Sequence, residues 1–424
     1  MAPSSPTRVR SLLIGTWLVA TAACEQPAEI GLSSGVSFLE EDSAGVLVAT
    51  TLGARARAPI GWVVDTLPEY QVGAAAGEEA YLFSIVDGAR QLSDGRVLVL
   101  DEPDCELRFF GTDGVFLVHT GGRGEGPGEF HPNGRCVLIP SPGTDSLVVF
   151  DGRRLNVFDD RGRFGHRVRV SWPNNITKVL GVVGGVVGVE SGGGIWASPA
   201  GHGQTHPPTF VDYGLLELGH GRVIWEEKGL QWAQSFTVVV PDSPIGWAQL
   251  AVPFDIWPDA TLAADGLYLT LGEDQGPEIL QYDTSGRLRR IIRLAEQRSA
   301  PSPKDLEKLV EFEFDPYDMA DTTRERVSES RLRLYRQNLQ ARIMPVFSRL
   351  MVDETGLFWA KLYRFDVRQP VRWLVFGPNG EGLGSVDMPP DLDVRQIGRD
   401  FVLGVWEDEY RVEYVRRHAL TGRS

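Results

Sequence analysis

Ser93-Asp-Gly-Arg-Val-Leu-Val-Leu-Asp101 joins a tight turn to an apolar run. Asp-Gly favours a turn because glycine tolerates positive φ and the aspartate side chain bonds nearby backbone. The Val/Leu run is β-prone and apolar on both faces, as suits a strand buried between neighbours. A second strand follows at Glu106-Leu-Arg-Phe-Phe110, then a turn at Thr112-Asp-Gly114, then Val115-Phe-Leu-Val-His119. Related runs stand at Thr144–Asp151, Gly184–Glu190, Ala264–Thr270, Glu354–Ala360 and Arg399–Val405. Four short strands per unit, repeated at roughly 40–50 residues, are the mark of a β-propeller. A four-stranded sheet cannot cover both of its own faces, so the units stack radially and bury one another. A β-sandwich has many short strands too, but does not repeat its turn chemistry at intervals. The reading is all-β, with six blades. Seven is the runner-up, because Gly219-His-Gly-Arg-Val-Ile-Trp-Glu-Glu227 could be a further inner strand. It reads better as an outer hairpin of the third blade.

The spacing lengthens in two places, and the second has a visible cause. Residues 303–342 are rich in Arg, Glu, Leu and Gln, and read as a helical insertion. Ser302 and Pro303 suit a helix start. Asp321, Thr322 or Thr323 would cap a second helix, with Leu332, Leu334, Tyr335 and Leu339 on one face. The C-terminal run from 399 is short of a full blade, so strand-like Ile60–Thr66 is expected to complete the last blade and shut the ring.

Composition agrees. Gly is 48 and Pro 27 of 424 residues, an excess of turn formers that argues against a helical protein. A net charge of −15 makes nucleic acid a poor partner, since that binding rests on neutralising phosphates. Three cysteines exclude a disulfide scaffold and a four-thiolate zinc site.

Arg8 and Arg10 precede the apolar stretch Leu12–Ala23, which suits a signal peptide and is too short to cross a bilayer, for which roughly 20 residues are needed. Ala22-Ala23-Cys24 resembles a bacterial lipobox, with Thr21 where leucine is usual. Residues 1–23 therefore read as a signal peptide. Residues 24–58 read as a tether lipidated at Cys24, with one short strand near Gly45–Thr51. Residues 59–418 read as the propeller. Localisation follows: exported, in the cell envelope, lipid-anchored to a membrane, with a secreted or periplasmic protein as the alternative.

Gly121-Gly-Arg-Gly-Glu-Gly-Pro-Gly-Glu-Phe130 lies between the first and second units. With Val99–Asp101, Leu107–Phe110 and Asp113-Gly114, it resembles NHL-type repeats and the bacterial exported six-bladed β-propeller family. The resemblance implies a six-bladed propeller, often lipid-anchored and mostly without an assigned activity.

The candidate sites are few. The 121–130 segment lacks the Gly-Lys-Ser/Thr ending of a phosphate loop and opens no helix. Its five glycines suit a close crossing between blades. His202, His206 and His220 could hold zinc or copper, but a polar loop explains them as well. Cys105 and Cys136 fall in adjacent blades; an exported protein's oxidising compartment allows a disulfide, but strand positions must face each other closely to bridge, and two buried free thiols are the stronger reading. Asp101, Asp151 and Glu190 could converge on the central channel as a cation ring; a role in turns is the stronger reading for the two aspartates. Trp225, Trp232, Trp247 and Trp257 suit a sugar or peptide site or, equally, core packing. No catalytic, cofactor-binding or metal-binding residue is assigned, and no cofactor is expected. Two functions stay open. One is a binding or scaffolding propeller that contacts a protein, peptide or glycan across one face. The other is a metal-dependent hydrolase or lyase with its site at the channel mouth.

Overall fold

The computed structural model describes residues 37–141, 144–172, 175–192, 209–233, 235–239, 247–254, 258–271, 277–314, 321–338, 343–366 and 368–423. Six sheets stand around a central channel. Blade 1 runs from Val86 to Gly121, blade 2 from Val137 to Arg169, blade 3 from Ile176 to Ala233, blade 4 from Ala260 to Ala295 and blade 5 from Phe347 to Met388. Each of these has four antiparallel strands of its own, laid down in chain order from the channel outward. Blade 6, Leu392–Thr421, has three.

Interblade packing fixes the blade count. Six hydrophobic clusters are each built from two consecutive blades. Leu98, Leu100 and Phe109 of blade 1 meet Leu147, Val149 and Phe158 of blade 2. Val97, Val99 and Phe110 face the other way, onto Phe401, Leu403 and Val405 of blade 6. The remaining four clusters join blades 2–3, 3–4, 4–5 and 5–6. This explains the recurrent runs. Each lies second from the channel, flanked by strands on both edges and by blades on both faces, so alternate residues are buried in opposite directions. They are not the innermost strands. Those precede each run, at Val86–Gln91, Val137–Ile139, Ile176–Val183, Ala260–Ala263, Phe347–Val352 and Leu392–Ile397. Val223–Ala233 pairs with Thr209–Glu217 as the outer hairpin of blade 3, so no seventh blade arises there.

The two strands that complete blade 6's edge come from far upstream. Tyr70–Val72 pairs with Val415–Arg417, and Val63–Val64 with Leu420–Thr421. The edge is thus covered by two short pieces where one strand over 60–66 was expected. Pro68, which has no N–H to donate, lies between them.

Residues 38–52 differ from the expected tether. Phe38–Ser43 and Val46–Leu52 form a hairpin, and the second strand adds in parallel to Leu288–Ala295 on the rim of blade 4. The next segment lies along blade 5. Helix α1 (Gly53–Arg57) leads to Ala58, whose carbonyl accepts the Ser385 N–H at 2.8 Å, and the Ile60 N–H returns to the Ser385 carbonyl at 3.1 Å. Residues 38–72 therefore form a belt over blades 4, 5 and 6.

Helices α2 (Pro303–Phe314) and α3 (Asp321–Asn338) lie between blades 4 and 5, within the expected insertion. The Ser302 N–H and hydroxyl both donate to the Asp305 carboxylate at 2.7 Å, which fixes the start of α2. Leu306, Leu309, Val310 and Tyr335 pack with Phe254 and Phe365 in a cluster of their own. Leu332 packs against it; the Leu334 side chain and Leu339 lie outside the described residues.

Candidate functional site

Cys105 and Cys136 form a disulfide with Cα atoms 5.6 Å apart, not two free thiols. Neither lies within a strand. Cys105 turns the chain at φ 55° after Asp101, and Cys136 immediately precedes blade 2. Those loop positions allow an approach that two strand positions in different blades rarely permit. The glycine-rich segment closes over the bridge. Gly121 has φ 98°, and a Cβ there would stand 2.7 Å from the Cys105 carbonyl and the Phe130 ring. The Arg123 guanidinium donates to the carbonyls of Glu102, Pro103, Pro132 and Gly134 at 2.6–3.2 Å, stitching blade 1 to blade 2. This segment is a structural crossing.

Asp101 and Asp151 do not converge on the channel. Asp101 accepts the N–H groups of Ser84 and Ile85 and pairs with Arg108 at 3.1 Å. Asp151 accepts the N–H groups of His131, Arg153 and Arg154 and pairs with the Arg154 guanidinium at 2.9 Å. Both hold loops of their own blades. Glu190 lies near the channel mouth, in register with Lys178 across the sheet, and accepts the Thr177 hydroxyl. Among the described residues, no three of His, Cys, Asp and Glu come together as a metal-ligand set. His202, His206 and Trp257, with the side chains of Trp232 and Trp247, lie outside the described residues. Trp225 packs against Tyr282, ring centroids 4.5 Å apart and tilted by 40°, between blades 3 and 4, which is core packing.

The residues that do converge come from the innermost strands. A cavity of about 560 Å3 occupies the channel, lined from all six blades. At the mouth where these strands begin, it is ringed by Asp87, Lys178, Asp259, Arg349 and Arg395. The Lys178 ammonium donates to Asp259 at 2.9 Å, and the Leu350 N–H donates to the other Asp259 oxygen at 2.7 Å. Asp393 receives Arg349 at 2.6 Å and Arg395 at 3.0 Å. Asp87 receives Arg135 at 3.2 Å and the Leu138 N–H at 3.3 Å. Burial raises the Asp87 carboxyl above its usual range, against the pull of Arg135 and Arg395. Burial would lower the Lys178 amine, but Asp259 outweighs it and the net shift is upward.

Lys361 stands opposite Arg349 in the adjacent strand of blade 5. Burial, and then the positive charge of Arg349, push its amine below the usual lysine value. The connection from blade 4 to blade 5, which carries α2 and α3, arrives at this mouth. Lys308 of α2 reaches Asp366, in the loop after the Lys361 strand, at 3.2 Å.

At the opposite mouth, hydrogen bonds join neighbouring blades. The Gln91 N–H donates to Gln396 at 2.6 Å, and Gln396 donates to the Gln91 carbonyl and the Glu354 carboxylate. Arg90 donates to the carbonyls of Ser146 and Thr144, and Ser93 to Asp145.

These lining residues were hidden in the sequence because each falls in a short, half-polar strand. The signal lies one strand upstream of each apolar run, as in Phe347-Ser-Arg-Leu-Met351 and Leu392-Asp-Val-Arg-Gln396, where a charged residue interrupts the apolar pattern.

No family model matches the chain, and no curated protein does. Among solved structures, it is similar to a Bacteroides fragilis protein named as a candidate exported protein: 11% identity, TM-score 0.45, covering 85% of this chain and 95% of that one. A member of the DUF4221 family from Bacteroides vulgatus gives 10% identity and TM-score 0.45, covering 85% and 99%. Virginiamycin B lyase from Staphylococcus aureus gives 9% identity and TM-score 0.35, covering 85% and 99%. The blade count rests on this chain's own sheets, and no activity is carried over from these likenesses.

Proposed function

We propose that this protein is an exported binding propeller, anchored in the cell envelope through a lipid on Cys24, that takes a small polar ligand into the charged mouth of its channel. One observation carries the reading. Fixed charges from blades that lie far apart in sequence are gathered around a cavity of about 560 Å3, a volume within the range of small-molecule sites. Holding half-buried charges costs stability; part of each charge's bonding joins neighbouring blades, as in Lys178–Asp259 and Arg349–Asp393, and the rest faces the cavity. The helical insertion stands beside this mouth, where Lys308 of α2 reaches Asp366.

Export is supported by the Arg8–Cys24 pattern and by the Cys105–Cys136 bridge, which suits an oxidising compartment. No helix among the described residues is long and apolar enough to cross a membrane. The NHL-like spacing of the first unit fits the same picture. A hydrolase or lyase working through a metal held by channel carboxylates gains no support. Asp87, Asp259 and Asp393 come from different blades, and each is held by its own cation.

The test plugs the cavity. Met351 lines it and packs against the blade 5–6 cluster, and Met351→Trp narrows the cavity without altering a charge. Wild type and variant are incubated with a small-molecule extract and desalted, and retained compounds are identified by mass spectrometry. Compounds held by wild type and lost in Met351→Trp support the reading; identical retention overturns it. For the anchor, Cys24→Ala moves the protein from the membrane to the soluble fraction, and continued membrane retention refutes lipidation.

A further inference from the structure

The charged mouth is asymmetric in hydrogen-bonding capacity, and this says what kind of ligand it takes. Its carboxylates are occupied. Asp259 holds an ammonium and a backbone N–H, Asp393 holds two guanidiniums, and Asp87 holds a guanidinium and a backbone N–H. Two neighbouring acids are engaged as well. Glu190 accepts the Thr177 hydroxyl and Glu413 accepts the Val86 N–H.

The cations have donors to spare. Arg349 uses one guanidinium nitrogen, toward Asp393, and its other nitrogens have no partner among the described residues. The Arg395 Nε is buried and unpaired. The Lys361 ammonium, with three N–H donors and partial burial, has no hydrogen bond or ion pair among the described residues, and it stands one strand out from the cavity wall, opposite Arg349. It stands beside Arg349, so two like charges face each other with only Asp393 between them and neutrality. An unpartnered, half-buried ammonium beside a guanidinium is costly in the free protein. An arriving anion relieves that cost, and a guanidinium fork matches a planar or tetrahedral oxyanion.

We infer that the channel mouth binds small molecules through an oxyanion group, a carboxylate or a phosphate, seated on Arg349 and Lys361, with the rest of the ligand directed into the channel. This rests on the binding reading above and adds its chemical class.

Calorimetric titration at constant ionic strength tests it with succinate, citrate and inorganic phosphate as probes, and with succinamide and putrescine as the neutral and cationic controls. The anions bind saturably and the controls do not; the better of carboxylate and phosphate names the headgroup. Lys361→Met, which removes an uncompensated charge and so keeps the fold, weakens anion binding roughly ten- to a hundredfold, the worth of one charge-assisted hydrogen bond. Asp393→Asn, which frees more of the Arg349 fork, tightens it; a merely structural Asp393 gives no such gain. Putrescine binding in place of the anions overturns the inference, as does Lys361→Met binding them like wild type. The plugged-channel experiment separates the two levels. A neutral or cationic compound retained by wild type and lost in Met351→Trp leaves the binding reading standing and sinks this one. Retention that ignores the plug removes both.

Discussion

Removing the Cys105–Cys136 bridge lowers stability by about 3–4 kcal/mol. The bridge closes a loop with a sequence separation of 31 residues. Treated as a constraint on the unfolded chain, a loop of that length gives about 3.7 kcal/mol at 25 °C. Both side chains are fully buried in the blade 1–blade 2 cluster, so Cys105→Ala with Cys136→Ala also leaves a small void, which adds to the loss. For a domain of this size, at roughly 2.1 cal/mol/K of unfolding entropy per residue, the loop contribution shifts Tm by about 5 °C. The assay is scanning calorimetry on wild type and the double variant, each with and without dithiothreitol. Reductant lowers the wild-type Tm toward that of the variant and leaves the variant unmoved. A wild type indifferent to reductant, with a double variant melting alongside it, would refute the pairing and the loop argument together.

Arg123→Ala removes donors to four carbonyls at once and costs about 2–4 kcal/mol by urea denaturation; Arg123→Lys recovers less than half, since one ammonium cannot span both blades. Gly286→Ala costs about 2–4 kcal/mol, because φ there is 78° and the new Cβ would stand 2.3 Å from Trp225 of blade 3; circular-dichroism melting reads the loss. His418 is buried on the closing strand, its Nδ1 2.8 Å from the Asp65 carbonyl, and burial holds the imidazole below its ordinary value. The unfolded chain therefore takes up a proton first as pH falls. His418 contributes full stability above about pH 6.5 and loses it progressively below. His418→Gln flattens that part of the stability–pH profile, and an unchanged slope in the variant assigns the acid sensitivity elsewhere.

What could be read in the sequence follows from what each segment buries. Val97–Asp101 and its five relatives are apolar on both faces because they are enclosed on all sides, and such runs stand out. Ser302 and Pro303 marked the start of the insertion because capping is local chemistry. The channel-lining strands could not be found this way, because one side of each meets the cavity and breaks the apolar pattern. Lys178, Arg349 and Arg395 become neighbours only when the ring closes. The cysteines misled because strand positions in neighbouring blades rarely approach closely enough to bridge, whereas this bridge uses the left-handed turn at Cys105. Of the Phe38–Leu52 hairpin, the second strand was legible near Gly45–Thr51; its docking was not, because its partner, Leu288–Ala295, lies more than two hundred residues downstream.

The belt over residues 38–72 has a consequence in time. These residues precede every strand they dock on by more than two hundred positions. Their partners are Leu288–Ala295, Ser385 and Val415–Thr421. While the chain emerges, its leading segment has nothing to pair with and carries an uncommitted hairpin beside half-formed sheets. Contacts spanning most of the chain are slow to form and leave strand edges open meanwhile. The ring is therefore a late event, fastened in one step by its oldest residues. A chain stopped short of blade 6 would lose its own C-terminus and, with it, the pairing of Val63–Val64 and Tyr70–Val72, while the Phe38–Leu52 hairpin kept its place on blade 4.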